Sequence, residues 1–271
     1  MASSQPVRSF MPLNQAELAD ATSIRNTYRA EFDFLDDVLA LVTKHVSQAD
    51  IKTHEVEKMI VSALMFRAIE ASRSAELLAV VGLTADASVA SRTLIEALAK
   101  LGCAAEDVAF VKQYANSSLV DLLRLHNAVR SDPSDRSLSD DAKYEELKRD
   151  VETSGADRLP PVEQLLAKAG LKASYTFGYR VQSVDAHVAP YSLERYYMTD
   201  QDGEVVGLKQ YPHENEVPVV VMGTAIQLLA SLVAWAKVCG VNIVEQSEFE
   251  ARMNELAARN RARSMDKEPR A

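Results

Sequence analysis

The longest uncharged stretch of the chain limits its fold more than any other feature. From Val217 to Ala236, VPVVVMGTAIQLLASLVAWA, 20 residues carry no charge, which is long enough to cross a bilayer. Five residues dilute its apolar character: Pro218, Gly223, Thr224, Gln227 and Ser231. The sequence has no second stretch of this kind. We therefore expect a helix buried at the centre of a soluble protein, and a membrane-peripheral protein is the weaker alternative.

The composition is that of an ordinary globular protein. Hydrophobic residues make up 47% of the 271 residues and charged residues 25%, which argues against disorder. Nine glycines and nine prolines are few for this length and favour long helices over a many-stranded β fold. The formal net charge of −9 argues against a module that grips duplex nucleic acid with a basic face. A small local basic site is still compatible with it.

The start of the chain and its cysteines indicate a cytoplasmic protein. The sequence MASSQPVRSFMPLN lacks the hydrophobic core of a signal peptide. Cys103 and Cys239 lie in apolar stretches, which predicts buried free thiols rather than a disulfide. Four histidines are scattered without metal-ligand spacing: His45, His54, His126 and His213. We expect no metal and no cofactor.

The spacing of apolar residues predicts most of the helices. One long helix is predicted from Asn14 to about His45, and a second from about His54 to Val81, where Gly82 fits its end. Five residues of the second helix are predicted to face inward: Met59, Ile60, Ala63, Leu64 and Ile69. Further helices are predicted at about 87–103, 107–129, 141–153, 219–239 and 245–262.

The predicted fold class is all-α, a helical bundle with a small inserted β-hairpin at about 193–211. In that segment, LERYYMTDQDGEVVGLKQY, β-forming residues flank a DQDG turn. We predict an N-terminal helical extension at 1–53, a helical core at 54–241, and a C-terminal helix with a flexible tail at 242–271.

The candidate site lies in YRVQSVDAHVAPYSLERYY, which starts at Tyr179. Arg180 and His187 are seven residues apart, so on a helix they share one face, with Ser183 between them. An arginine offers a planar fork to phosphate oxygens, and a histidine can act as acid or base near neutral pH. Such a pair often arises by chance, so a structural role is the alternative interpretation.

A resemblance adds to this spacing. The R-x6-H pattern looks like the R-x(4–6)-H motif of HEPN domains. The order SRTLIEALAKL, YRxxSxxxH, hairpin and apolar helix resembles an uncharacterised bacterial family of HEPN-like α-helical proteins, over roughly residues 63–236. In that family an early Arg–Glu pair accompanies the later residues, and the matching positions here are Arg92, Glu96, Tyr179, Arg180, Ser183 and His187.

The resemblance implies a helical bundle that can form a homodimer, with two such motifs meeting in a cleft. Catalytic HEPN proteins are metal-independent ribonucleases, many of them toxins or antiviral effectors. His187 would then exchange a proton with the ribose 2′-hydroxyl or the leaving oxygen, and Arg180 would stabilise charge on the phosphate. Val181 stands where catalytic members often have a polar residue. A non-catalytic helical module that binds a protein partner is therefore the alternative.

Arg92 and Glu96 lie four residues apart on one predicted helix. They form either a surface ion pair worth roughly a few tenths of a kcal/mol, or a buried pair that orients Arg180 or His187. The apolar neighbours Leu94 and Ile95 leave both interpretations open.

Overall fold

The structure is a computed structural model, which describes residues 15–131, 140–179, 193–194, 197–208 and 216–265. The fold is all-α with one small β-hairpin, as the sequence predicts. The helices are α1 (Gln15–Thr27), α2 (Arg29–Gln48), α3 (Val56–Val80), α4 (Thr84–Glu106), α5 (Ala109–Ser131), α6 (Asp141–Ser154), α7 (Val162–Lys168), α8 (Lys172–Ser174), α9 (Val217–Cys239) and α10 (Gln246–Met265). A π-helical turn, Tyr175–Tyr179, follows α8 directly.

Helix α9 lies at the centre of the bundle, against α2, α3 and α4. It is apolar almost all round, and only the narrow face that carries Val219, Ile226 and Lys237 is exposed. The large side chains buried around it come from all of these helices: Trp235, Leu228, Leu232, Phe32, Met65, Leu94 and Leu98. The buried Trp235 Nε1 donates a hydrogen bond of 3.0 Å to Ser62 Oγ of α3.

The central position of α9 bears on the membrane alternative. Among the described helices it alone is long and apolar enough to cross a bilayer. Of its most apolar 18-residue stretch, 61% is buried inside the protein. The core helix of a soluble protein passes the same test of length and composition. A single helix of this kind is therefore weak evidence for a membrane span.

The predicted first helix is two helices. The prediction of one uninterrupted helix from Asn14 is wrong at Tyr28, where the backbone has φ −111° and ψ 31°. The buried Tyr28 still keeps hydrogen bonds on both sides, from its own N to Ile24 O and from Phe32 N to its O. Tyr28 therefore joins α1 to α2 through these backbone hydrogen bonds, and the apolar spacing does not reveal the break in the helix at this residue.

Two of the residues predicted to face inward from α3 are exposed. Leu64 and Ile69 are buried as predicted and Ile60 is half-buried, but Met59 and Ala63 face water. The buried face of α3 combines larger residues, among them Val61, Leu64, Met65 and Ile69, with small ones that hydropathy counts weakly: Ala68, Ala71, Ser72, Ala75 and Ala79. The small side chains let α4 and α9 approach α3 closely, so large apolar residues alone do not determine which face of α3 is buried.

The hairpin consists of β1 (Tyr197–Thr199) and β2 (Val205–Leu208), which pair antiparallel. Tyr197 pairs with Leu208, and the register shifts between Met198 and Thr199. In the turn, the Asp200 side chain accepts hydrogen bonds from the backbone N–H groups of Asp202 and Glu204. Gly203 has φ +84°, a conformation that favours glycine. The DQDG turn predicted from the sequence is thus confirmed.

Both cysteines are free thiols, as predicted. Cys103 of α4 is fully buried and its Sγ lies 3.2 Å from Leu165 O, whereas Cys239 is half-buried. Burial raises the pKa of both thiols, so neither has the lowered pKa of a reactive cysteine.

Candidate functional site

Three of the six predicted site residues lie in the described part of the chain, and the fold brings them together. Arg92 and Glu96 lie on α4, and Tyr179 ends the π-helical turn more than eighty residues later. Arg180, Ser183 and His187 lie outside the described residues, so their roles stay predictions. Arg180 follows Tyr179 directly in the chain.

The Tyr179 hydroxyl connects the other two side chains. Arg92 Nη2 donates a hydrogen bond of 2.8 Å to the hydroxyl oxygen, and the hydroxyl donates one of 3.3 Å to Glu96 Oε1. The Arg92 guanidinium also lies over the Tyr179 ring, 4.7 Å from its centroid, which is a favourable cation–π distance. The phenol is therefore fixed in both position and rotation.

The Arg92–Glu96 pair is neither fully exposed nor fully buried. The Arg92 side chain is 21% exposed and that of Glu96 is 35% exposed, and 3.5 Å separates Arg92 Nε from Glu96 Oε1. That separation is too long for a good hydrogen bond, and the buried Arg92 Nε has no hydrogen-bond partner. The pair lies at the edge of the core and holds Tyr179, the residue that leads into Arg180.

The π-helical turn approaches α4 and α9 closely because residue 178 is glycine. A Cβ atom on Gly178 would lie 2.9 Å from Ile95 Cδ1 and 3.4 Å from Gln227 Nε2. The first distance is shorter than real side-chain contacts allow. A larger residue at position 178 would have to displace the end of the Ile95 side chain, so glycine allows this close approach without rearrangement.

A buried polar network lies beneath this turn. Ser91 Oγ donates a hydrogen bond of 3.0 Å to Gln227 Oε1, and Thr224 Oγ1 lies 3.3 Å from Ser91 Oγ. The sequence does not predict this network, because in it Thr224 and Gln227 stand out only as polar residues that dilute an apolar helix. Their i, i+3 spacing on one face of α9 was the available signal.

A second glycine brings the preceding segment against α4. A Cβ atom on Gly102 would lie 2.7 Å from Ala169 Cβ and 3.3 Å from Leu171 Cδ1. Ala169 directly follows α7, and Gly170 turns the chain with φ +73°. The segment from α7 to Tyr179 therefore contacts α4 closely at two points, Gly102 and Gly178.

The described residues around the site do not resemble a metal centre. The rings of Tyr175 and Tyr179 stack, with centroids 5.7 Å apart and planes 21° from parallel. Within the part of the chain that the structure describes, no group of three or more His, Cys, Asp or Glu side chains could hold a metal ion. The chemistry available here is that of a guanidinium, a phenol and a carboxylate.

Comparisons with known proteins give one family. A model of a family of unknown function, DUF5677, matches residues 58–205, which include Arg92, Glu96, Tyr179, Arg180 and His187. Neither the curated proteins nor the solved structures give a match. Since the matched range covers more than half of the 271 residues, this chain belongs to the DUF5677 family of unknown function.

Proposed function

We propose that this protein is a HEPN-like effector that acts on RNA as a metal-independent ribonuclease, with Arg180 and His187 as its catalytic pair. The observation that supports this proposal is the contact of Tyr179 with Arg92 and Glu96. These three residues accompany the catalytic pair in the family that the sequence resembles, and they are far apart in the chain. Tyr179 is anchored one residue before Arg180.

The proposed chemistry needs no cofactor. His187 would remove the proton of a ribose 2′-hydroxyl or protonate the leaving oxygen. Arg180 would stabilise the negative charge that develops on the phosphate oxygens. In this proposal Arg92, Glu96 and Tyr179 are positioning residues, because they hold the backbone that leads to Arg180 and do not touch the reacting atoms.

Cleavage of RNA in the presence of EDTA tests the catalytic proposal. The wild type should cleave labelled single-stranded RNA, and Arg180→Ala and His187→Ala should each slow cleavage by roughly 10²-fold or more. His54→Ala is the matched control, because His54 is an exposed histidine at the start of the second predicted helix. Equal cleavage by His187→Ala and the wild type, or a requirement for added Mg²⁺, would contradict the proposal.

Expression in bacteria tests the proposed toxin or phage-defence role. The wild-type chain should arrest growth or limit phage infection, whereas His187→Ala should do neither at the same protein level. A growth arrest that His187→Ala retains would separate toxicity from the proposed chemistry and argue against a ribonuclease.

One observation favours the alternative, a non-catalytic helical module that binds a protein partner. The Arg92 charge is already engaged by Tyr179 and by Glu96, and the chain has a net charge of −9. If the protein is such a module, neither the wild type nor Arg180→Ala should change the fluorescence anisotropy of labelled RNA. RNA binding that Arg180→Ala weakens would argue for the first proposal.

A further inference from the structure

The outer face of α3 carries an exposed stripe of mixed apolar and charged residues. Phe66 is 55% exposed and Leu77 is 67% exposed, although both are large hydrophobic side chains on one helix. Glu70 and Arg73 lie between them and are also exposed. The spacings of 4, 3 and 4 residues place all four side chains on one face, in the pattern of a helix that packs against another helix.

The two charged residues of this stripe differ in their partners among the described residues: Glu70 is paired on its own helix, and Arg73 is not. Arg67 Nη1 lies 3.3 Å from Glu70 Oε2 on the same helix. Arg73 has no ion pair with any carboxylate in the described part of the chain. An exposed guanidinium between two exposed hydrophobic side chains is available to a partner.

A groove between α2 and α3 lies beside the stripe. Leu77 and Arg73 line it from α3, and Leu39, Ala40 and Thr43 line it from α2. Three other charged residues of the groove already have partners in the chain: Asp36 and Glu76 with Arg25, and Lys44 with Glu245. Among the described charged residues that line the groove, Arg73 is therefore the one that can pair with a carboxylate of a partner.

We infer that the α3 stripe is the surface by which two copies of this chain form a twofold dimer. In an antiparallel α3 pair whose axis passes between positions 71 and 72, residue 70 of one copy meets residue 73 of the other, and residue 66 meets residue 77. Glu70 then faces Arg73, and Phe66 faces Leu77 beside the groove. Each contact occurs twice, as a twofold interface requires.

The occupant is a second copy because the stripe is complementary to itself in both charge and hydrophobicity. The opposite register, in which the helices run parallel in register, would place Glu70 against Glu70 and Arg73 against Arg73, which is unfavourable. Stable interfaces bury roughly 800 Å² on each partner, so the inferred dimer needs contacts with the α2 side of the groove in addition to the α3 pair. The inference does not depend on RNA binding or cleavage.

Sedimentation equilibrium of the full chain at several concentrations tests the interface. The wild type should dimerise, and Phe66→Glu should weaken dimerisation by at least about tenfold, because it buries an unpaired charge. Val219→Glu is the matched control, since Val219 is an exposed apolar residue on α9. A monomeric wild type, or dimerisation weakened by Val219→Glu and not by Phe66→Glu, would overturn the inference.

A charge exchange tests the register independently of the apolar contact. Glu70→Arg alone and Arg73→Glu alone should each weaken the dimer, because each places like charges opposite one another. The double variant Glu70→Arg/Arg73→Glu should restore the wild-type dissociation constant to within about threefold. A double variant as weak as the single variants would overturn the antiparallel register. Circular dichroism should show unchanged helix content in all of them.

Discussion

Gly102 of α4 and Ala169 at the end of α7 are so close that a Cβ atom on Gly102 would lie 2.7 Å from Ala169 Cβ. Neither atom belongs to a side chain that can rotate away, so any larger residue at position 102 must move the backbone. The segment that ends at Tyr179 can therefore lie this close to α4 only because residue 102 has no Cβ atom.

Gly102→Ala should lower the free energy of unfolding by about 1–3 kcal/mol, the usual cost of an overpacked contact. Gly102→Ala/Ala169→Gly should recover part of that loss, since it removes the closest atom. Urea unfolding measures both variants. The helical Gly223 has open space around it, so Gly223→Ala is the control and should gain up to about 1 kcal/mol. A neutral Gly102→Ala would contradict the close contact.

Tyr179→Phe should lower the free energy of unfolding by about 0.5–1.5 kcal/mol, because it removes the hydroxyl between Arg92 and Glu96. In a double-mutant cycle with Arg92→Lys, the interaction energy should be about 0.5–1.5 kcal/mol. Tyr144→Phe is the control: Arg130 lies 4.2 Å from the Tyr144 ring centroid, but its hydroxyl has no side-chain hydrogen bond among the described residues. Strictly additive effects of Tyr179→Phe and Arg92→Lys would show that the contact is not formed.

Ser62→Ala should lower the free energy of unfolding by about 1–3 kcal/mol, because it leaves the buried Trp235 N–H without its acceptor. Trp235 is the only tryptophan in the sequence, so its fluorescence reports both the change of environment and the unfolding transition. Ser74→Ala removes an exposed hydroxyl that bonds only to its own helix and should change stability by less than about 0.5 kcal/mol. Equal stability of the two variants would argue against the Trp235–Ser62 bond.

Acid should weaken the attachment of the α9–α10 loop to α2. Hydrogen bonds from Lys44, its own backbone N–H and His45 lower the pKa of Glu245 to about 2 from an ordinary 4.5. The unfolded chain therefore binds this proton at a higher pH than the folded chain does. The stabilisation by Glu245 is complete above pH 4.5 and is lost as the pH falls towards 2.

Unfolding free energies of Glu245→Gln and the wild type, measured from pH 6 to pH 2, check this prediction. The difference between the two proteins should be largest above pH 4.5 and should shrink towards pH 2. Glu57→Gln controls for the loss of one exposed carboxylate. A constant difference across the range would mean that Glu245 does not titrate as described.

The sequence could predict the elements that depend on local pattern. The uncharged run predicted α9, and the DQDG turn predicted the hairpin, because both signals lie within about twenty residues. The break at Tyr28 and the orientation of Met59 and Ala63 depend on which helices pack against α1, α2 and α3. Residues distant in the sequence determine that packing. Apolar spacing alone does not encode it.

The candidate site divides in the same way. Arg92 and Glu96 share a helix turn that the sequence displays, whereas their contact with Tyr179 spans more than eighty residues. The family resemblance places the three residues in one motif set and does not predict that contact. The close approach at Gly178 and the Ser91–Gln227 hydrogen bond had no signal of comparable strength. Each depends on two segments meeting at a distance that no single segment determines.

The central position of α9 has a consequence for the nascent chain. The last residue of α4, Glu106, leaves the ribosome more than a hundred residues before Val217. At about 5–20 residues per second, that interval lasts roughly 5–20 s. Throughout it, the apolar walls formed by α2, α3 and α4 face water without the helix that fills them. The core of this protein can therefore be completed only after α9 has emerged, so its folding cannot finish while α2, α3 and α4 are the only helices outside the ribosome.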